Sequence, residues 1–143
     1  MEKNDLNLGV IMYHENILDD LLIWIESNLE APLNVGILSA KSGYSKWYLQ
    51  RLFKKLTGYS LATYTRKRRL TRAAEELRQS AITIKDIAHK YQFDDHSALT
   101  RAFKKNFHIT PSAYRRLPVR TDYGLQPVLT LKNSPRPGPG YRL

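Results

Sequence analysis

Gln50 and Arg51 lie three and four residues after Trp47 and four and three before Lys54, so on a helix the four share one face. Together they present an indole, an amide, a guanidinium and an ammonium group. A guanidinium can donate in bidentate fashion to guanine O6 and N7, an amide can pair with adenine, and an ammonium can neutralise a phosphate. Each side chain also has a plainer use. Arg51 could clamp a phosphate or form a surface salt bridge, Gln50 could be a solvated helix residue, and Trp47 could be partly buried against a neighbouring helix. Trp47 nevertheless lies off the apolar stripe, where an indole left in water is costly unless a sugar or a thymine methyl packs on it. Ser45, Lys46, Lys54 and Lys55 beside this face are expected to position phosphates, which gives affinity and register but little sequence information.

The pattern recurs fifty residues further on. Leu49-Gln-Arg-Leu-Phe-Lys-Lys55 aligns with Leu99-Thr-Arg-Ala-Phe-Lys-Lys105, with identity at the Leu, Arg, Phe and both Lys positions. Tyr64 pairs with Tyr114, and Ile37 with Ile87, at the same offset. Such self-similarity marks a duplicated supersecondary unit. A duplicated helical bundle would account for the apolar matches alone. It would also mix charge signs on its solvated faces, whereas Arg51 with Lys54 and Arg101 with Lys104 are uniformly basic. Lys104 and Lys105 join the expected phosphate positioners.

The elements that must hold these faces are helices. Leu18, Leu21, Leu22, Ile25 and Leu29 form an amphipathic stripe for a helix over 17–30, ended by Pro32. Residues 1–16 lack periodicity and are expected to be disordered. Asn34 caps a short helix to about Ser42, with Val35, Leu38 and Ile37 inward; Gly43 turns the chain, and Ser45 caps a helix ending before Gly58. A basic helix over 61–80 buries Leu70, Ala73, Ala74 and Leu77. Thr83 opens a helix over 84–91, Asp94 or Asp95 caps another to about Phe107, and Thr110-Pro111 starts a last short one. The fold class expected is all-α: two helix-turn-helix subdomains, three-helix lobes at about 35–57 and 84–107, joined by a long linker helix. At ~1.5 Å per residue that spacer is ~30 Å, close to the ~34 Å of one B-DNA turn. Two reading helices could thus face successive major grooves. Residues 118–143 hold five of the seven prolines. They are expected to form a Pro-rich tail, with Pro127–Leu131 as a short extended piece.

Composition narrows the function classes. The 143 residues carry a net charge of +10, and the excess is uneven. Residues 1–32 have one basic and seven acidic side chains, whereas 33–117 have eighteen and five. A basic field of that kind attracts polyanions and releases their counterions. There is no cysteine, which excludes disulfides, thiolate metal sites and cysteine nucleophiles. The four histidines show no metal spacing, and no Gly-rich phosphate loop, nucleophile elbow or carboxylate pair occurs. No catalytic residue, metal or cofactor is expected, so the chain does not read as an enzyme. No membrane span or signal pattern occurs, which fits a cytoplasmic, nucleoid-associated protein.

The segment Phe93-Asp-Asp-His-Ser-Ala-Leu-Thr-Arg-Ala-Phe-Lys-Lys-Asn-Phe-His-Ile-Thr-Pro-Ser-Ala-Tyr-Arg115 resembles the signature F-x-D-x-S-x-F-x-R-x-F-K-x-x-x-G-x-T-P-x-x-Y-R of the AraC/XylS family of bacterial transcription regulators. Ser42-Gly-Tyr-Ser-Lys-Trp-Tyr-Leu-Gln-Arg-Leu-Phe-Lys-Lys-Leu-Thr-Gly58 resembles its small MarA/SoxS/Rob/TetD-like subgroup still more closely. The likeness covers about residues 17–117. It implies monomeric binding to double-stranded promoter DNA and activation through RNA polymerase, with base contacts from Trp47, Gln50 and Arg51 in the first unit. In the second it implies base contacts from His96, Ser97, Thr100 and Arg101. It also makes Arg68 or Arg69 a candidate for bonds that tie the lobes together, and points to antibiotic and stress resistance as the usual theme. A repressor, or a non-specific architectural DNA-binding protein, is the alternative.

The chain departs from the subgroup where Asp95-His96-Ser97 replaces Ser-Gln-Gln. The paired glutamine readers are absent, so altered discrimination is expected in the second half-site. Gln92 and His108 stand at positions where the family favours glycine. His tolerates the left-handed region better than Gln, so strain is expected at Gln92. The larger family members carry a ligand-sensing domain for which this chain has no room. Control by abundance, without a small-molecule effector, is the expectation.

Overall fold

A computed structural model describes residues 2–131, with side chains from Leu8 onward. The helices are α1 (Glu2–Ser27), α2 (Val35–Ser42), α3 (Lys46–Thr57), α4 (Leu61–Gln79), α5 (Ile84–Lys90), α6 (His96–Phe107) and α7 (Pro111–Arg115). No strand occurs among the described residues. Two compact units divide the chain. Among the described residues, the first takes 2–27, Leu33–Tyr64 and 128–131, and the second takes Asn28–Pro32 and Thr65–Pro127.

In the first unit the apolar stripe of α1 is buried at Leu18, Leu21, Leu22 and Ile25, and Leu38, Leu49, Leu52 and Phe53 of the helix-turn-helix pair are buried as well. The helix begins far earlier than the stripe suggests, which corrects the expectation of a disordered segment over 1–16. Burial of Glu15 and a hydrogen bond between His14 and Tyr44 tie the stretch before the stripe to the fold. Ile37 also departs from expectation. It is exposed, whereas its counterpart Ile87 is fully buried, so the repeat conserves the residue type there and not its environment.

The second unit packs Leu70, Ala73, Ala74 and Leu77 of α4 against Ile87, Tyr91, Leu99, Phe103, Phe107 and Tyr114. Phe103 lies 4.4 Å from Phe107 and 5.3 Å from Tyr114 between ring centroids. The corresponding pair in the first unit, Phe53 and Tyr64, lies 5.8 Å apart. The duplicated Phe and Tyr thus form the same contact twice. Two arginines secure chain exits from helices through paired bonds to carbonyls. Arg69 donates to Leu29 O and Ala31 O, and Arg115 to Leu77 O and Ile82 O.

The segment after α7 is not the free tail that its prolines suggest. Gln126 N–H donates to Thr71 Oγ1 at 2.8 Å, Arg68 donates to Gln126 O, and Asn106 Nδ2 donates to Gly124 O. Gly124 has φ +79°, and a Cβ there would stand 2.7 Å from Phe107, so only glycine fits. In the first unit Leu129 N–H donates to Tyr64 Oη and Leu131 N–H to Asp19 Oδ1. Pro127–Leu131 is held by these bonds without joining a sheet. The Pro-Arg-Pro-Gly-Pro-Gly stretch ending at Gly140 lies outside the described residues.

Glu76 is a charged anchor of the second unit. It accepts from Lys90 Nζ and, at 3.2 Å, from Tyr91 Oη. The Lys90 hydrogen bond, opposed by desolvation, holds its carboxyl below the usual value of 4.5. Its folded pKa being lower than its unfolded one, the stability it contributes is present above pH 4.5 and is lost as pH falls through the folded value. Glu76→Gln is therefore expected to flatten the acid limb of thermal stability against pH and leave the slope near neutrality unchanged. An unaltered acid limb would show that Glu76 is not the group responsible.

Candidate nucleic-acid interface

In the first unit, Asn34 Oδ1 accepts from Ile37 N–H to start α2, and Gly43, at φ 81°, ends it. Ser39 Oγ donates to Tyr44 O at 2.6 Å and fixes the turn. Ser45 Oγ then accepts from Tyr48 N–H to start α3, which leaves its hydroxyl hydrogen free to donate outward. Because Leu49, Leu52 and Phe53 are buried, helical geometry sends the complementary face to solvent. Lys46, Trp47, Gln50, Arg51, Lys54 and Lys55 are all exposed. Trp47 is 65% exposed, and the Arg51 guanidinium stacks over its ring at 5.2 Å from the centroid. That stacking limits the wandering of a long cation. Lys54 Nζ donates to Gly58 O at 3.0 Å, so it also caps its own helix, a second role the sequence does not reveal.

His14 braces this unit in a way not anticipated from sequence. Its Nδ1 lies 2.5 Å from Tyr44 Oη, in the turn, and its Nε2 lies 3.4 Å from Tyr48 Oη, on α3. Burial lowers the His14 pKa. The Tyr44 hydroxyl is pushed up to about 12 by desolvation and then by the neighbouring Tyr13 and Tyr48. His14 and the Tyr44 hydroxyl are thus both uncharged near pH 7. The cluster's only sequence signal is the i, i+4 spacing of Tyr44 and Tyr48.

In the second unit, Thr83 caps α5 and Asp95 caps α6, accepting from Ala98 N–H at 2.7 Å. His96, Ser97, Arg101, Lys104 and Lys105 are exposed on α6, while Leu99, Phe103 and Phe107 are buried. Thr100 differs from the other expected readers. Its Oγ1 is closed off from solvent without a hydrogen-bond partner among the described residues, so in this rotamer it offers no outward donor. Arg66, Lys67 and Asn106, which the sequence left without a nucleic-acid role, line a concavity together with Arg101 and Lys105.

The turn between α5 and α6 carries the expected strain. Gln92 has φ 67°, and His108, which ends α6, has φ 66°. A side chain in that region costs about 1–2 kcal/mol. Gln92 Nε2 donates to Glu30 O at 2.9 Å, but that bond is exposed and weak compensation. Gln92→Gly is therefore expected to stabilise the second unit by about 0.5–1 kcal/mol, read as a higher denaturant midpoint at unchanged m-value. An unchanged or lower midpoint would mean that the Glu30 bond outweighs the strain.

Among the described residues no helix is long and apolar enough to cross a membrane, and no group of three or more His, Cys, Asp or Glu side chains could hold a metal ion. Comparison with known proteins matches residues 38–117 to a helix-turn-helix domain family. The chain is 54% identical over 104 residues to the transposon Tn10 TetD protein of Escherichia coli, covering 73% of this chain and 75% of that protein. It is 48% identical over 120 residues to the right origin-binding protein of Escherichia coli K12, covering 84% of this chain and 42% of that protein. The chain thus spans about two fifths of the length of that relative. An AraC-type transcriptional regulator from Chromobacterium violaceum superposes with a TM-score of 0.68 at 27% identity, covering 76% of this chain and 99% of that one. The DNA-binding domain of AdpA, solved with a target DNA, superposes with a TM-score of 0.65 at 25% identity, covering 67% and 86%. With a family match over most of its described length and relatives of this identity, the chain belongs to the helix-turn-helix family of AraC-type DNA-binding transcription regulators.

Proposed function

We propose that the chain binds double-stranded promoter DNA as a monomer, with α3 and α6 each reading one half-site in the major groove, and activates transcription by contacting RNA polymerase. The observation that carries this reading is the exposed Trp47–Gln50–Arg51 face, with the guanidinium stacked over the indole at 5.2 Å. A fork-shaped donor limited in this way suits guanine, and Gln50 beside it suits adenine. Lys46, Lys55 and Lys104 supply sequence-independent attraction. Ser97 and Arg101, with His96 in place of a glutamine, read the second half-site differently from the first. The likeness to a domain solved in complex with a target DNA supports DNA binding by this fold.

Selection of bound duplexes from random DNA, followed by footprinting at two salt concentrations, tests the binding mode. The expected result is an asymmetric site with two unlike blocks, protected by one copy of the chain. A palindromic site occupied by two copies would refute the monomer. In vitro transcription with purified RNA polymerase tests activation, and lower transcript yield on adding the protein would assign repression instead.

A further inference from the structure

The second unit contains a concavity of about 510 Å³ between α4 and α6, lined by Arg66, Lys67, Leu70, Arg101, Lys105 and Asn106 around Ala98 and Ala102. Four of its lining residues are cations and none is acidic. Lys67 is held by Asn106 Oδ1 at 3.2 Å. Arg66, Arg101 and Lys105 are exposed and have no hydrogen-bond or ion-pair partner among the described residues. Uncompensated like charges gathered at one recess repel one another, and that repulsion is relieved when an anion enters.

Two small side chains keep the recess open. Ala98 and Ala102, one turn apart on α6, stand where the first repeat has Tyr48 and Leu52. In the first unit Leu52 is buried in the core and Tyr48 is engaged with His14 and Tyr44. The two alanines set the second repeat apart, as do Arg66 and Lys67, which stand where the first repeat has Asn16 and Ile17; Arg101 and Lys105 match Arg51 and Lys55. Leu70 and the two alanines give the recess an apolar floor, over which the methylene stems of Arg and Lys can lie with their charged heads at the rim.

We propose that this concavity seats the phosphate backbone of bound nucleic acid, with Arg66 and Lys105 as the phosphate ligands, Asn106 positioning Lys67 beside them and Arg101 at the rim reaching toward the base edges. Its rim is continuous with the exposed face of α6 through Arg101. A strand beside α6 therefore meets these cations without a second surface being needed. The proposal rests on the reading of α6 as a DNA-facing helix. It adds Arg66 and Lys67 of the connecting helix to the groups that fix register.

The test measures binding of the wild-type chain and of Arg66→Ala, Lys105→Ala and Ala102→Leu to a selected duplex and to a random one, across a salt series. Each Ala variant is expected to lose about threefold to tenfold in affinity on both duplexes alike and to flatten the log–log salt slope by about 0.9. Ala102→Leu restores the residue of the first repeat and fills the recess without removing a charge. It should lose affinity similarly while keeping the wild-type melting temperature. Replacing single phosphates with neutral methylphosphonates along the footprint should identify one at which Arg66→Ala has no further effect.

Wild-type affinity and slope in both Arg66→Ala and Ala102→Leu would overturn the proposal, as would a loss confined to the selected duplex. Saturable pyrophosphate binding by the DNA-free protein, abolished in Arg66→Ala while duplex affinity stays unchanged, would assign the recess to small anions and overturn it too. A wild-type chain with no sequence preference would instead refute the proposed function, so the two failures are distinguishable.

Discussion

Phe103→Ala is expected to unfold the second unit at or near physiological temperature. Phe103 is fully buried, and its ring lies within 4.4 Å of Phe107 and 5.3 Å of Tyr114. Removing it deletes a ring from the point where α6, α7 and α4 share one core. Phe→Ala changes in such cores typically cost about 3–5 kcal/mol, because the lost transfer energy adds to that of an unfilled cavity. A domain of this size commonly has about 5–15 kcal/mol in total, so the change removes a large share. Thermal melts should show a transition lowered by about 10 °C or more. Footprints should lose the block read by α6 and keep the one read by α3. A single cooperative transition in which both blocks disappear together would instead mean that the two units fold as one. Phe53→Ala, at the matching position of the repeat, is expected to have the mirror effect.

Much of this architecture was legible because it is periodic or punctuated. The caps Asn34, Ser45, Thr83, Asp95 and Thr110 each make the expected side-chain bond to the backbone. The fifty-residue offset aligned Phe53 with Phe103 and Arg51 with Arg101, and the structure buries the first pair and exposes the second. What could not be read depends on single contacts distant in sequence. The segment around Gln126 is fixed by Thr71 and Arg68, fifty-five and fifty-eight residues away, and no pattern of hydrophobicity encodes such bonds. The part of α1 before the stripe meets the fold where His14 bonds Tyr44, again a contact between distant positions. Within the interface, residue type indicated that Thr100 belongs to the reading helix, but the closed-off position of its hydroxyl is a rotamer choice. The recess on α6 was visible only as two missing side chains. An alanine in a helix ordinarily signals close packing, and the comparison with Tyr48 and Leu52 is what makes it informative.

Arg51→Ala separates base reading from general attraction. Arg51 is exposed and contributes nothing to the core, so its removal should leave the melting temperature unchanged. Loss of a bidentate guanine contact should lower affinity for the selected duplex by about 1–3 kcal/mol, roughly 5- to 150-fold, with the discrimination lost at one base pair. On random DNA the loss should be only that of one cation. Arg51→Lys sharpens the distinction. It retains the charge, and with it the salt slope, but an ammonium lacks the planar fork and stacks poorly on Trp47. It should therefore lose nearly as much specificity as Arg51→Ala. Trp47→Ala should cost part of the same preference, because the guanidinium loses the ring that it covers at 5.2 Å. Lys55→Ala is the contrasting case. It should weaken both duplexes equally and flatten the salt slope by about 0.9, with no change in the preferred sequence. If Arg51→Ala behaved like Lys55→Ala, the guanidinium would be a phosphate clamp. Base reading in the first unit would then rest on Gln50, whose amide suits adenine, and the selected sites should lack an invariant guanine in that block.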